Sequence, residues 1–311
     1  MLNSTTVTEF LLTRFSDVWE LRVLHALIFL LTYLATLLGN LLIVTVTTLD
    51  QSLHTPMYFF LRNLSFLDMC YISVTVPQAC IIFLLDSTAI SMVGCAAQIF
   101  LVFLFAFVEL LFLTIMARDR YVAICQPLHY PVIMNHQVCV QMSLASLFSG
   151  VVYSGFHTGI TFSLPFCQSN IVHQFFCDIP VLLKLSCSDV FMSELLLFVS
   201  SVVFAGGCFS LIIMSYVRIL STVLKFPIRG ERRKAFATCV PHILMVTVFV
   251  SSAAAVYMKP TSNLPTIQDM IMSVFYSIVP PFLNPIIYSL RNKQIKEAIW
   301  KIMSSMLCSG K

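Results

Sequence analysis

Arg118, Asp119 and Arg120 stand directly behind roughly thirty residues whose only formal charge is Glu109, so the three lie where an apolar helix would leave a bilayer. A guanidinium at that edge either reaches water along its own methylene stem or is held by a partner. The adjacent Asp119 can hold Arg120 in one state and release it in another. Glu109 precedes Arg120 by roughly 16 Å of helix, which is about mid-membrane. Asp68 is the other acid set deep in apolar sequence. Two carboxylates at that depth must share a proton, an inner cation or polar neighbours such as Asn40, Ser65 and Asn284. This is the chemistry of a held charge and not of bond making. No His-Glu-x-x-His or Gly-x-Ser-x-Gly string occurs and the seven histidines are scattered, so an enzyme is not expected.

The elements that position these groups follow from composition. The 311 residues are 59% hydrophobic and 10% charged, with a mean hydropathy of +0.92; a soluble domain carries about 25% charged residues. Apolar runs of spanning length recur at Leu24 to Leu49, Met57 to Leu85, Gly94 to Met116, Cys139 to Leu164, Leu195 to Val217, Ala235 to Met258 and Met270 to Leu290. The expectation is an all-α membrane protein: a seven-transmembrane helix bundle over residues 24–290, an outer segment 1–23, and a short amphipathic C-terminal helix and tail in 291–311. Residues 1–23 lack the pattern of a secretory signal, so the first span would be its own insertion signal.

With the amino terminus outside, four of the eighteen Lys and Arg fall on outer segments (Arg14, Arg22, Lys184, Lys259) and fourteen on inner ones. The positive-inside rule therefore predicts a multi-pass plasma-membrane chain with its amino terminus extracellular and its carboxy terminus cytoplasmic. Asn3 then becomes a glycosylation acceptor on the correct side. The basic balance is sorted by loop, so no nucleic-acid partner is expected. Lys293, Lys296 and Lys301 would face anionic membrane lipid. Cys95, Cys167, Cys177 and Cys187 fall outside, where disulfides persist, and four cysteines allow three pairings. The long outer loop from Pro165 to Ser193 reads as an ordered lid.

Several strings together resemble one family. Met116 to Tyr130 reads MARDRYVAICQPLHY, Pro280 to Asn292 reads PPFLNPIIYSLRN, Leu53 to Asp68 reads LHTPMYFFLRNLSFLD and Lys234 to Ile243 reads KAFATCVPHI, with Gly39-Asn40 in the first span and Ser215-Tyr216 in the fifth. They resemble the signatures of olfactory receptors, a rhodopsin-like G-protein-coupled receptor family. The resemblance implies disulfides Cys95 to Cys177 and Cys167 to Cys187, a structural sodium ion at Asp68 and Glu109 with no other cofactor, and a stimulatory, olfactory-type heterotrimeric G protein as partner, raising cyclic AMP. It assigns the switch to Asp119, Arg120, Tyr121, Tyr216, Asn284, Pro285 and Tyr288. Pro285 frees a backbone carbonyl that Asn284 can satisfy. The chain departs from the family pattern at Arg118 (usually Tyr), at Ala237 and Pro241 (usually Ser), and at Phe249-Val250-Ser251 (often Phe-Tyr-Gly). Pro241 is expected to move the bend of the sixth span.

A ligand is expected one to two turns outward from Glu109, among Val102, Phe103, Ala106 and Phe107 of the third span, Ser200 and Phe204 of the fifth, Ala253 and Tyr257 of the sixth, and Val274 and Ser277 of the seventh. Such a pocket is apolar, with a few hydroxyls and no ionised group, and suits a small neutral volatile odorant. Amine receptors of the wider family place an acid where this chain has Val102, and the seventh span has no lysine for a retinal Schiff base. The competing class is an ion-coupled transporter or channel using Asp68 and Glu109; the repeats and matched broken helices that mark many transporters are not found.

Overall fold

The computed structural model describes residues 8–85, 88–167, 169–257 and 267–309. In chain order its helices are α1 (Trp19–Leu49), α2 (Pro56–Leu84), α3 (Met92–Cys125), α4 (Tyr130–Ile133), α5 (His136–Phe162), α6 (Ile179–Lys184), α7 (Phe191–Val223), α8 (Arg229–Tyr257), α9 (Ile267–Arg291) and α10 (Lys293–Ser309). Seven of them, α1, α2, α3, α5, α7, α8 and α9, are long and apolar enough to cross a membrane. Their outward faces carry large exposed apolar side chains, such as Leu31 and Leu38 on α1 and Val203 and Ile213 on α7, which only lipid can cover. α3 is central and packs against α2, α5, α7 and α8.

Several helices run past the apolar windows read from sequence. α3 continues to Cys125, so Arg118 to Arg120 lie inside the helix and not at its end, and α8 begins at Arg229 within the basic segment. Hydropathy marks the hydrocarbon portion, whereas the backbone ladder continues until a cap or a break ends it. Ser91 caps α3 by accepting from the Gly94 amide, and Asn135 caps α5 by accepting from Val138.

The outer face adds a small sheet that periodicity had not suggested. β1 (Glu9–Leu12) lies between β2 (Ala89–Ser91), antiparallel, and β3 (Ile171–Val172), parallel. Phe10 and Leu12 of β1 are fully buried, and Phe10 meets Phe166 edge to face. Disulfides join Cys95 to Cys177 and Cys167 to Cys187. Gln98 strengthens the first tether, accepting from the Cys177 amide at 2.8 Å and donating to the Val74 carbonyl. Arg22 donates to the Phe83 carbonyl at 2.9 Å and reaches that of Leu85, placing a cation on the negative end of α2. Asn3 lies outside the described residues.

Two close approaches fix the bundle. Pro285 has no N–H, so the Pro281 carbonyl one turn earlier lacks its helical donor, and Asn40 of α1 donates to it at 3.1 Å. The expected donor, Asn284, is engaged elsewhere. A Cβ on Gly39 would stand 3.0 Å from Pro285 Cγ, so the bare backbone lets α1 reach α9. A Cβ on Gly150 of α5 would meet Val108 at 2.8 Å and Leu104 at 2.9 Å, whereas one on Gly155 would meet nothing within 4 Å. Gly150→Val is therefore expected to cost about 1–3 kcal/mol through overpacking and to lower surface expression and thermal midpoint. Gly155→Val should leave both unchanged in the same fluorescence-detected melting assay.

Candidate functional site

The outer half of the bundle gathers aromatic rings from three helices. Phe107 of α3 and Phe204 of α7 stack with centroids 3.9 Å apart and planes 11° from parallel, and Tyr153 of α5 lies 4.5 Å from Phe107. Phe103 stacks on His157 of α5 at 5.1 Å. Ser200 lies 3.1 Å from His157 Nε2, and Tyr153 lies 3.2 Å from the Ser201 hydroxyl. Of the residues expected to line a pocket, Phe103, Phe107, Ser200 and Phe204 thus converge, while Val102 is buried and Ala106 half-buried on the same helix. Val274 instead packs with the cluster holding Phe175 and Phe176 of the outer loop. Ser277 is buried and donates to the Ser273 carbonyl. The side chains of Ala253 and Tyr257 lie outside the described residues.

Tyr153 and His157 of α5 were not anticipated among these rings. A signal for them existed: Ser143, Ser146, Gly150, Ser154, His157 and Thr161 recur at helical spacing and form the buried stripe of α5. The outer loop packs over this end of the bundle, where Phe103 joins the cluster of Cys177, Ile179 and Leu182. Phe175 and Phe176 are fully buried, and Asp178 caps α6 through the Ile179 amide while accepting from the Tyr276 hydroxyl at 2.6 Å. Burial pushes the Asp178 carboxyl above the usual range, against the Tyr276 and Ile179 donors that draw it down.

At mid-depth Asp68 and Glu109 come together, both buried, with one donor between them. Asn284 Nδ2 lies 2.7 Å from Asp68 Oδ2 and 3.4 Å from Glu109 Oε1. Asn40 Oδ1, Asp68 Oδ1 and Asn284 Oδ1 are buried with no hydrogen-bond partner among the described residues.

The inner third is tied through α8. His242 Nε2 lies 2.9 Å from the Leu113 carbonyl of α3 and its Nδ1 lies 2.7 Å from the Tyr216 hydroxyl of α7. A carbonyl only accepts, so Nε2 carries the proton and Tyr216 donates to Nδ1. Arg120 donates to the Thr238 carbonyl, also on α8. Sequence had paired Arg120 with Asp119, but the Asp119 carboxylate instead accepts from Tyr130 of α4 at 2.8 Å. Adjacent helical residues diverge by about 100°, so each meets a partner from a different helix, Asp119 from α4 and Arg120 from α8. Tyr288 is buried with its hydroxyl unpartnered among the described residues. Tyr121 packs with the inner end of α7 and has the Arg118 guanidinium 4.8 Å over its ring, a use for the unusual arginine.

Known proteins resemble this chain along nearly its whole length. The olfactory receptor family model matches residues 29–306. Human olfactory receptor 14C36 is 66% identical over 309 residues, covering 99% of each chain. Human olfactory receptor 14A16 is 50% identical over 311 residues, covering 100% of this chain and 99% of its own. The crystal structure of squid rhodopsin superposes with a TM-score of 0.75 at 19% identity, covering 94% of this chain and 88% of that one, a likeness of fold.

Removing the shared amide at mid-depth isolates both acids. Asn284→Leu is expected to destabilise the detergent-purified protein by about 1–3 kcal/mol, the cost of stranding buried acceptors. The thermal midpoint should fall by several degrees, and an unchanged midpoint would show that the three side chains do not act as one group.

Proposed function

Because the chain belongs to the olfactory receptor family, a family of signalling receptors and not enzymes, we propose that it is gated by a small, largely apolar volatile in the outer chamber and activates a stimulatory heterotrimeric G protein, raising cyclic AMP. The observation that carries this reading is the pair of ties from α8, Arg120 to Thr238 and His242 to both Leu113 and Tyr216, set beneath an aromatic chamber built on the same α3 and α7.

With the amino terminus outside, as the loop charges favour, those ties face the cytoplasm. They hold α8 against α3 at rest. The neutral ties of His242 are worth about 0.5–1.5 kcal/mol each and the charged one of Arg120 about 1.5–3 kcal/mol, so the resting preference amounts to a few kcal/mol. A ligand that binds the open arrangement more tightly by that amount shifts the population. As α8 leaves, Arg120, Tyr216 and Tyr288 turn to the opened cleft, where the G protein's terminal helix docks, and Arg218 to Lys234 supply its basic rim. Pro285 and Asn284 transmit the change along α9, and Asp119 stays with Tyr130.

The buried oxygens of Asp68, Asn40 and Asn284, hard donors with unmet acceptor capacity, together with the Glu109 carboxylate that shares Asn284 with Asp68, fit a sodium ion. Bound there, it would supply positive charge to the two carboxylates. Sodium chloride should then raise the thermal midpoint above that in choline chloride, and Asp68→Asn should abolish the difference; equal midpoints in wild type would rule the ion out.

An odorant panel read by a cyclic-AMP reporter tests the whole reading. Arg120→Ala should silence the response with surface staining intact, and full signalling from it would contradict the switch. His242→Phe, which loses both ties at once, should raise basal cyclic AMP severalfold; unchanged basal output would remove the histidine from the lock.

A further inference from the structure

Hydroxyls inside these helices have a strong habit. Ser146, Ser149 and Thr161 of α5 each donate to the carbonyl four residues back, as do Thr36, Thr114 and Ser201 elsewhere. Ser154 and Thr158 do not. Their hydroxyl oxygens and the Nδ1 of His157, all within about one turn of α5, are buried with no hydrogen-bond partner among the described residues. Ser143, roughly 16 Å inward on the same helix, is the other such hydroxyl on α5. A buried polar group left unmet costs free energy, and three in one turn point to a shared partner from outside the chain.

The proton inventory gives the partner's chemistry. Ser200 Oγ donates to the Leu197 carbonyl at 2.9 Å and lies 3.1 Å from His157 Nε2. A hydroxyl has one proton, so Ser200 accepts from Nε2–H, and His157 Nδ1 is left as a bare lone pair. Only a donor meets it. A ketone, ester, ether or hydrocarbon brings no donor, and a cation would be desolvated among Phe103, Phe107, Tyr153 and Phe204.

We propose that Ser154, His157 and Thr158 form a polar subsite of the chamber that selects volatiles carrying a hydroxyl on a small flat body, that is, phenols and simple alcohols. The inference rests on the reading of the chain as an odorant-gated receptor. The ligand's O–H donates to His157 Nδ1 and its oxygen accepts from Ser154 or Thr158, while its apolar body enters between Phe107 and Phe204, whose rings part to admit it.

The test uses the full chain in cells with a cyclic-AMP reporter and three matched sets: 4-methylphenol against 4-methylanisole, benzyl alcohol against benzyl methyl ether and toluene, and 1-hexanol against hexane, together with volatile ketones and esters. At least one hydroxyl compound should act at a concentration tenfold or more below its partner, since unmet polar groups penalise the analogue. His157→Phe keeps the ring stack and removes both nitrogens, so it should bring that ratio close to one. Thr158→Val, near in shape, should reduce it severalfold, and this second variant serves if the first does not reach the surface. Equal or better action by ethers, hydrocarbons, ketones or esters would overturn the inference, as would an undiminished ratio in both variants. Silence toward every compound while His242→Phe signals constitutively would also overturn it and leave G-protein coupling standing. Silence of His242→Phe as well would overturn it too, and the receptor reading itself would be lost only if the wider odorant panel also raises no cyclic AMP.

Discussion

A carbonyl or N–H in hydrocarbon has no water to turn to, and the arrangement of this bundle follows from that constraint. It separates two kinds of tie. The Pro281 carbonyl has lost its helical donor to Pro285, so the Asn40 amide is its replacement and its removal would strand a buried acceptor. The Thr238 and Leu113 carbonyls each have a helical amide four residues on, that of His242 and that of Ala117, neither of them a proline. Arg120 and His242 use only their second lone pairs. The first kind of tie is static, fastening α1 to α9. The second can open without orphaning the helix it leaves, which suits a part that moves.

Chamber and lock share their supports. Phe107 and Phe204 lie on α3 and α7, and the inner turns of the same helices carry Leu113, Arg120 and Tyr216. From Phe107 to Arg120 is roughly 20 Å of helix. In the proposed gating, a body wedged between the stacked rings would change the spacing of α3 and α7, and the chain Leu113, His242, Tyr216 spans that same spacing farther along. Packed helices transmit such a change as rigid bodies, because a dense interior has no slack to absorb it. No chain of contacts running the length of the bundle is required.

The seven spans were legible because hydropathy and membrane thickness leave one solution, and the motifs at Arg120 and Pro285 were legible as strings. Their partners were not. Nothing in the order of residues says that Asn40, 241 positions before the Pro281 carbonyl, replaces the missing donor and leaves Asn284 to the acids. Asp119 and Arg120 are neighbours in sequence, and that nearness misled, since a helix points them apart. The α5 residues of the chamber were missed because Ser, Gly and His dilute an apolar window, although their spacing marks the face turned inward. The three-stranded sheet was invisible for a different reason: each strand is two to four residues long, below the length at which alternation can be read.

Pro241 gains meaning from its place between the two ties. Lacking an N–H, it leaves the Ala237 carbonyl without a helical donor and weakens α8 at that turn, yet the helix runs through from Arg229 to Tyr257. Thr238, just inside the weak turn, is held by Arg120. His242, just outside it, is held by Leu113 and Tyr216. A hinge clamped on both sides cannot bend at small cost, and in the proposed switch the opening of both clamps would let the basic end of α8 swing about it. Loss of the usual serine at 241 thus moves flexibility to the place where the lock controls it.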